Sequence, residues 1–144
     1  MAANTAPIYS LLGDVSNNDG TTFGAAITTA TGDYTGASAN HILVHTGDAT
    51  NGSYVRRLRF QAIGTNVATV ARIYINNGSA NTTAANNVIY GQQSLPATTA
   101  SNTAATVEID YPMELALPPG FRIYVGVATT VAAGWVCTAV AGQY

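Results

Sequence analysis

The sequence predicts an all-β protein: an antiparallel β-sandwich of about eight strands folded as a single domain. Three observations predict it. Apolar residues recur with period two in nearly every apolar segment, and no useful length shows the helical period of 3.6. Clusters of Gly, Asn, Asp and Pro separate these segments at short intervals, as in sandwiches and barrels. The 144 residues suit one core, since a domain of this size buries roughly 70% of the surface its unfolded chain exposes.

Taken in order, residues 1–7 are small and polar, and residues 1–12 are expected to form an extended N-terminal arm. Residues 13–144 then make the sandwich. Weaker strands are expected at 9–12, 25–29, 41–45 and 88–90. The segment 54–62 puts Leu58, Phe60 and Ala62 on one face and Arg57, Arg59 and Gln61 on the other. Residues 70–76 set Ala71, Ile73 and Ile75 against Arg72, Tyr74 and Asn76. Alternation is cleanest at 106–111 and is repeated at 121–127. All four segments read as half-buried strands with one face in the core. A last strand is expected at 134–140. Turn residues occupy 17–20, 47–52, 76–78, 118–120 and 132–134, and 79–87 and 97–105 read as irregular loops. Pro118 and Pro119 cannot donate to a ladder, so the stretch from Leu115 to Phe121 is expected to cross between sheets at an edge.

Composition narrows the function. Only 8% of residues are charged, against about 25% in an average globular domain. The five basic residues are all arginines, and net charge is −2, which points away from direct binding of nucleic acid. A surface of Thr, Asn, Ser and Gly loses little on desolvation, which suits large contacts between proteins. No apolar run approaches the 18 or so residues of a membrane span. The N-terminus lacks the basic start and apolar run of a signal peptide, so synthesis in the cytoplasm without export is expected. The single cysteine, Cys137, lies in an apolar run and reads as a buried thiol.

A search for catalytic chemistry finds no nucleophile elbow, no phosphate loop and no Cys-x-x-Cys pair. His41 and His45 are four residues apart, but on a strand that spacing separates them by roughly 13 Å, too far to share a zinc ion. The polar run that starts at Asp14 lacks the glycine and the glutamate of a calcium loop. Glu108 and Asp110 share a strand face, and Arg122 is the expected cross-strand partner for one of them. No enzyme activity, cofactor or metal is expected. Arg56, Arg57 and Arg59, with Tyr54 nearby, form the one dense basic feature. Guanidinium forks capture carboxylates across an interface, so these four residues are the predicted partner-binding site.

One longer pattern carries a likeness. From Ile109 through Pro112, Met113, Glu114, Pro118, Pro119 and Gly120 to Val127, an apolar strand, a proline–glycine corner and a second alternating strand follow one another. Together with the strand pair at 54–76 and the lysine-free, Ala/Thr/Gly/Asn-rich composition, this resembles the small jelly-roll capsid decoration (cement) proteins of tailed bacteriophages. The resemblance implies a jelly-roll sandwich on the exterior of a virion. It would clamp neighbouring copies of the major capsid protein and associate with itself, as a trimer first and a dimer second. The alternatives are a tail, baseplate or head-fibre component, and a carbohydrate-binding sandwich using Trp135, Tyr34 or Tyr54. A cupin-type enzyme would need a histidine cluster that two histidines do not supply.

Overall fold

Alternating side chains along Ser53–Ala62 and Glu108–Leu117 give each of these strands one greasy face, and the sheet they share buries it against a second sheet. The computed structural model describes the backbone of residues 12–16 and the whole of residues 24–144. The predicted arm at 1–12 lies outside the described residues apart from Leu12, which begins a strand. Nine strands follow in chain order: β1 (Leu12–Ser16), β2 (Ala26–Ile27), β3 (Ile42–Thr46), β4 (Ser53–Ala62), β5 (Thr69–Asn76), β6 (Asn87–Leu95), β7 (Glu108–Leu117), β8 (Arg122–Val127) and β9 (Trp135–Gln143). A 3-10 turn, Ala84–Asn86, interrupts the loop before β6.

One sheet has the order β1-β9-β4-β7 and the other β3-β8-β5-β6. β2 lies on β9 beyond the end of β1, with Ser16 opposite Ala139 and Ala26 opposite Val136. β1 and β2 therefore fill one strand position, and the sandwich has eight. All strand ladders are antiparallel. With β9 held between β1 and β4, and β8 between β3 and β5, the order is that of a jelly roll. Pro118, Pro119 and Gly120 make the corner that carries the chain from β7 in one sheet to β8 in the other. Pro112 sits within β7, where its missing N–H is tolerated because β7 is an edge strand.

The core is a single cluster. Val55, Leu58, Phe60, Trp135 and Cys137 from one sheet meet Val44, Ile73, Ile123, Val125 and Val127 from the other. Cys137 is fully buried, and desolvation pushes its thiol pKa far up, so it packs as a small apolar side chain.

Two expectations are overturned. β5 and β8 are buried on both faces: Arg72, Tyr74 and Asn76 are covered along with Ala71 and Ile73. The segment at 30–41 covers Arg72 and Tyr74, while Asn76 bonds to Asn87 of β6. Trp135 is completely buried and so offers no platform to a sugar ring. Among the described residues the first strand is Leu12–Ser16, and the strand predicted at 9–12 lies outside them apart from Leu12. Three strands also extend beyond their predicted spans. β6 covers nine residues, β9 reaches Gln143 and β7 reaches Leu117. The residues added to β6 and β9 carry little alternation to announce themselves, whereas Met113, Leu115 and Leu117 of β7 do alternate with Glu114 and Ala116.

Candidate interaction surface

The outer face of the β1-β9-β4-β7 sheet begins with an irregularity in β4. Val55 and Arg57 pair with the adjacent residues Ala141 and Val140 of β9, so Arg56 is the extra residue of a bulge. On the β7 side, Glu114 answers with a left-handed backbone, φ 47°. Bulges re-aim side chains. Val55 and Leu58 both point inward here, while Tyr54, Arg57 and Arg59 share the outside.

Register then brings charges together. Arg59 lies opposite Asp110. Its Nε donates to Asp110 Oδ1 at 2.8 Å and its Nη2 to Oδ2 at 3.0 Å, a two-pronged pair. Glu108 approaches the same guanidinium at 3.7 Å, and Arg57 approaches Asp110 at 3.5 Å. The fork from Arg59 holds the Asp110 carboxyl below the usual carboxylate range. Tyr54 donates its hydroxyl to Glu114, which raises the Tyr54 pKa. Arg56 is exposed and makes no ion pair among the described residues. With Arg57, Asp110, Pro112 and Glu114 it lines a shallow groove of about 230 Å³.

The four predicted partner-binding residues thus share one face, in two different situations. Arg57 and Arg59 already hold carboxylates of their own chain, and Tyr54 holds Glu114. Only Arg56 keeps an uncommitted guanidinium. The expected pairing of Arg122 with Glu108 or Asp110 does not occur, because Arg122 belongs to β8 in the other sheet. Six of the chain's twelve charged residues nevertheless gather in this patch, and their formal charges cancel.

The outer face of the opposite sheet is capped. Thr31 N–H donates to Val127 O at 2.8 Å and anchors the segment at 30–41 across β8. Arg72 Nη1 donates to the carbonyls of Thr31 and Asp33 at 2.9 and 3.1 Å, and its guanidinium lies 4.2 Å from the centre of the Tyr34 ring. Tyr74 donates to Asp33 O, and the His41 ring stacks on Tyr74 at 4.7 Å. The cap sits so close that only glycine fits at two places. A Cβ on Gly36 would come within 2.7 Å of the Tyr74 ring, and one on Gly126 within 2.4 Å of His41.

His41 and His45 are both buried. His41 Nδ1 lies 3.0 Å from Gly36 O. A carbonyl can only accept, so the proton sits on Nδ1. Nε2 is then the unprotonated nitrogen, buried and without a hydrogen-bond partner among the described residues. Burial is the main cause that holds the His41 pKa below 6.5; Arg72 adds to it, while the Gly36 bond and Asp33 oppose it. Tyr34 and Tyr74 are the other titratable groups beside it. Because the folded pKa is lowered, the unfolded chain binds the proton more readily. Stability is therefore constant above about pH 6.5 and falls as pH drops below that value. Thermal melts of wild type and His41→Phe from neutral pH to roughly pH 5 check this. The wild type is expected to lose more stability than the variant, and parallel curves would refute the role of His41.

Among the described residues no group of three or more His, Cys, Asp or Glu is placed to hold a metal ion. No helix of the described chain is long and apolar enough to cross a membrane. Comparison with protein-family models, with curated proteins and with solved structures returns no match.

Proposed function

We propose that this chain is a non-catalytic structural protein of a tailed-bacteriophage virion. On this reading it sits on the capsid exterior and clamps neighbouring copies of the major capsid protein. One observation carries the reading. A jelly roll with an almost uncharged surface concentrates half of its charged residues in one self-neutralised patch on an exposed sheet face. Desolvating polar hydroxyl and amide groups costs less than desolvating lysine and glutamate, so such a surface favours wide contact. Charges already paired within the patch set orientation and register rather than attraction. Arg56 remains to take a carboxylate from the partner. A protein bound across shell subunits stabilises the closed shell, because its binding free energy is lost when the shell opens.

The test is the number of copies per purified particle, by quantitative mass spectrometry against the major shell protein. A stoichiometry near that of the shell subunits supports decoration. A few copies per particle would move the chain to a tail, baseplate or head fibre, and absence from particles would end the virion reading. Arg56→Glu is expected to abolish binding to undecorated shells, since it sets a carboxylate where the partner's carboxylate must sit. Arg59→Gln is expected to weaken binding less, because Arg59 is committed to Asp110. Equal effects of the two changes would overturn the assignment of Arg56.

A second reading has its own observation. Tyr34 is 60% exposed while Arg72 steadies its ring from behind, an arrangement that suits stacking against a sugar. With Trp135 buried, that site would rest on a single aromatic ring. A glycan array in which Tyr34→Ala abolishes every hit would support it, and an array without hits would dismiss it.

A further inference from the structure

We propose that β6 is a self-association edge: two copies of the chain pair through an antiparallel β6–β6 ladder about a two-fold axis. The two β3-β8-β5-β6 sheets then become one continuous sheet. The inference goes beyond the decoration reading and does not rest on it, because the isolated protein reports it without any particle.

A sheet edge offers a row of backbone donors and acceptors, and proteins protect such edges with charge, proline, shortness or interruption. The sandwich has four edges, and three are protected in these ways. β7 carries Glu108, Asp110, Pro112 and Glu114, all exposed. β3 has five residues and a bulge between Leu43 and His45. The β1–β2 position is split into strands of five and two residues. β6 is bulged too, at Tyr90, but it alone combines length with a lack of charge. It runs for nine residues without a charged side chain or a proline. Val88 and Tyr90 stand 60% and 41% exposed on it, and among the described residues no strand pairs with its outer side.

Charge decides in favour of a second copy of the same strand. A two-fold axis sets each residue of an edge against residues of the same edge. Self-pairing of β7 would bring Glu108, Asp110 and Glu114 against their own copies, whereas self-pairing of β6 brings no like charges together. The register follows from the one irregularity in β6. Ile73 pairs with Gly91 and Tyr74 with Ile89, so Tyr90 is bulged, and its hydroxyl is tied back to Met113 O of β7. The uninterrupted run is therefore residues 91–95, about 17 Å long. Its midpoint, Gln93, lies on the axis, and Gln92 of one copy faces Ser94 of the other. Both residues are exposed on their own chain.

Sedimentation of the purified full chain over a concentration series tests the proposal. A reversible dimer is expected, and a monomer at every concentration up to roughly 100 µM overturns it. In Gln92→Lys/Ser94→Lys, ammonium groups at positions 92 and 94 oppose each other twice across the axis. About tenfold weaker dimerisation is expected. In Gln92→Lys/Ser94→Glu the same two contacts become attractive, and dimerisation is expected to return to the wild-type level or better. A dimer indifferent to both changes places the interface elsewhere and overturns the proposal. Should a variant fold poorly, hydrogen exchange on the wild type decides. Protection of the amides at 91–95 must rise with protein concentration, and its failure to rise overturns the ladder.

Discussion

Replacing Trp135 by alanine is expected to destabilise the protein by about 3–5 kcal/mol, the largest effect of any single truncation in the core. Trp135 is the largest fully buried side chain. It opens β9 at a crowded place, with Ile27 of β2 opposite it on one side and Ala62 of β4 on the other. Neighbours fixed in two ladders cannot collapse into the space the indole leaves, so the cavity term is retained in full. A domain of this size is stable by only about 5–15 kcal/mol, so the variant should lose roughly a fifth or more of its stability. Trp135→Phe makes the informative comparison. The indole Nε1 is buried with no hydrogen-bond partner among the described residues, and phenylalanine removes that unsatisfied donor while keeping most of the volume. Its cost should be well below that of alanine. Urea unfolding followed by far-UV circular dichroism measures both, and an alanine cost under about 1 kcal/mol would mean that β9 is not packed as described.

The second large effect is expected at Asn66, a polar residue that works like a core residue. Its carboxamide nitrogen lies within hydrogen-bond reach of Gly64 O, Thr98 Oγ1 and Gly134 O at 3.1–3.3 Å. Its oxygen accepts the N–H groups of Ala133 and Gly134 at 3.0 and 2.7 Å. Its own backbone exchanges two hydrogen bonds with Thr98. One buried side chain thus pins together the β4–β5, β6–β7 and β8–β9 connections at one end of the sandwich. Asn66→Ala leaves several of these groups buried without partners. Each orphan costs about 1–3 kcal/mol, so a total loss of roughly 2–5 kcal/mol is expected. Asn66→Asp separates this account from a mere loss of volume. An ionised carboxylate still accepts from Ala133 and Gly134 but faces the oxygens of Gly64 and Gly134, so its folded pKa is raised. The native state then binds the proton more readily, and the variant should regain stability as pH falls. An aspartate variant indifferent to pH would refute the donor role of the amide.

The same two sites mark how far the sequence could be read. Alternation at 54–62, 70–76, 106–111 and 121–127 exposed the four strongest strands, because a half-buried strand must show period two. The second half of β6 and the end of β9 were illegible, since Gly91, Gln92, Gln93 and Gly142 carry no hydrophobic signal and join their ladders through backbone alone. Half-burial was the wrong inference for β5. Arg72 and Tyr74 look like solvent-facing residues until the 30–41 segment folds over them, and only tertiary structure reveals a cover from a distant stretch of chain. In the candidate surface, Tyr54, Arg57 and Arg59 could be grouped from sequence by their shared face. Their partners could not, because Asp110 meets Arg59 only through the β4–β7 register, which periodicity leaves open. The adjacent arginines at 56 and 57, inside an otherwise alternating strand, were the one local sign of a bulge.

The position of β9 has a consequence for biosynthesis. β9 is the last strand of the sandwich in chain order, yet it lies in the middle of its sheet, between the first strand and the fourth. Until it leaves the ribosome, β1, β2 and β4 lack their common neighbour, and the apolar faces of both sheets have no lid. At 5–20 residues per second the stretch from β1 to the end of β9 takes roughly 7 to 26 seconds to make. Folding of the sandwich therefore waits until β9 has been made, and the β4 edge next to the missing strand stays open to other nascent copies until then. Pausing or dilution during expression should accordingly govern the yield of folded protein more strongly than its final stability does.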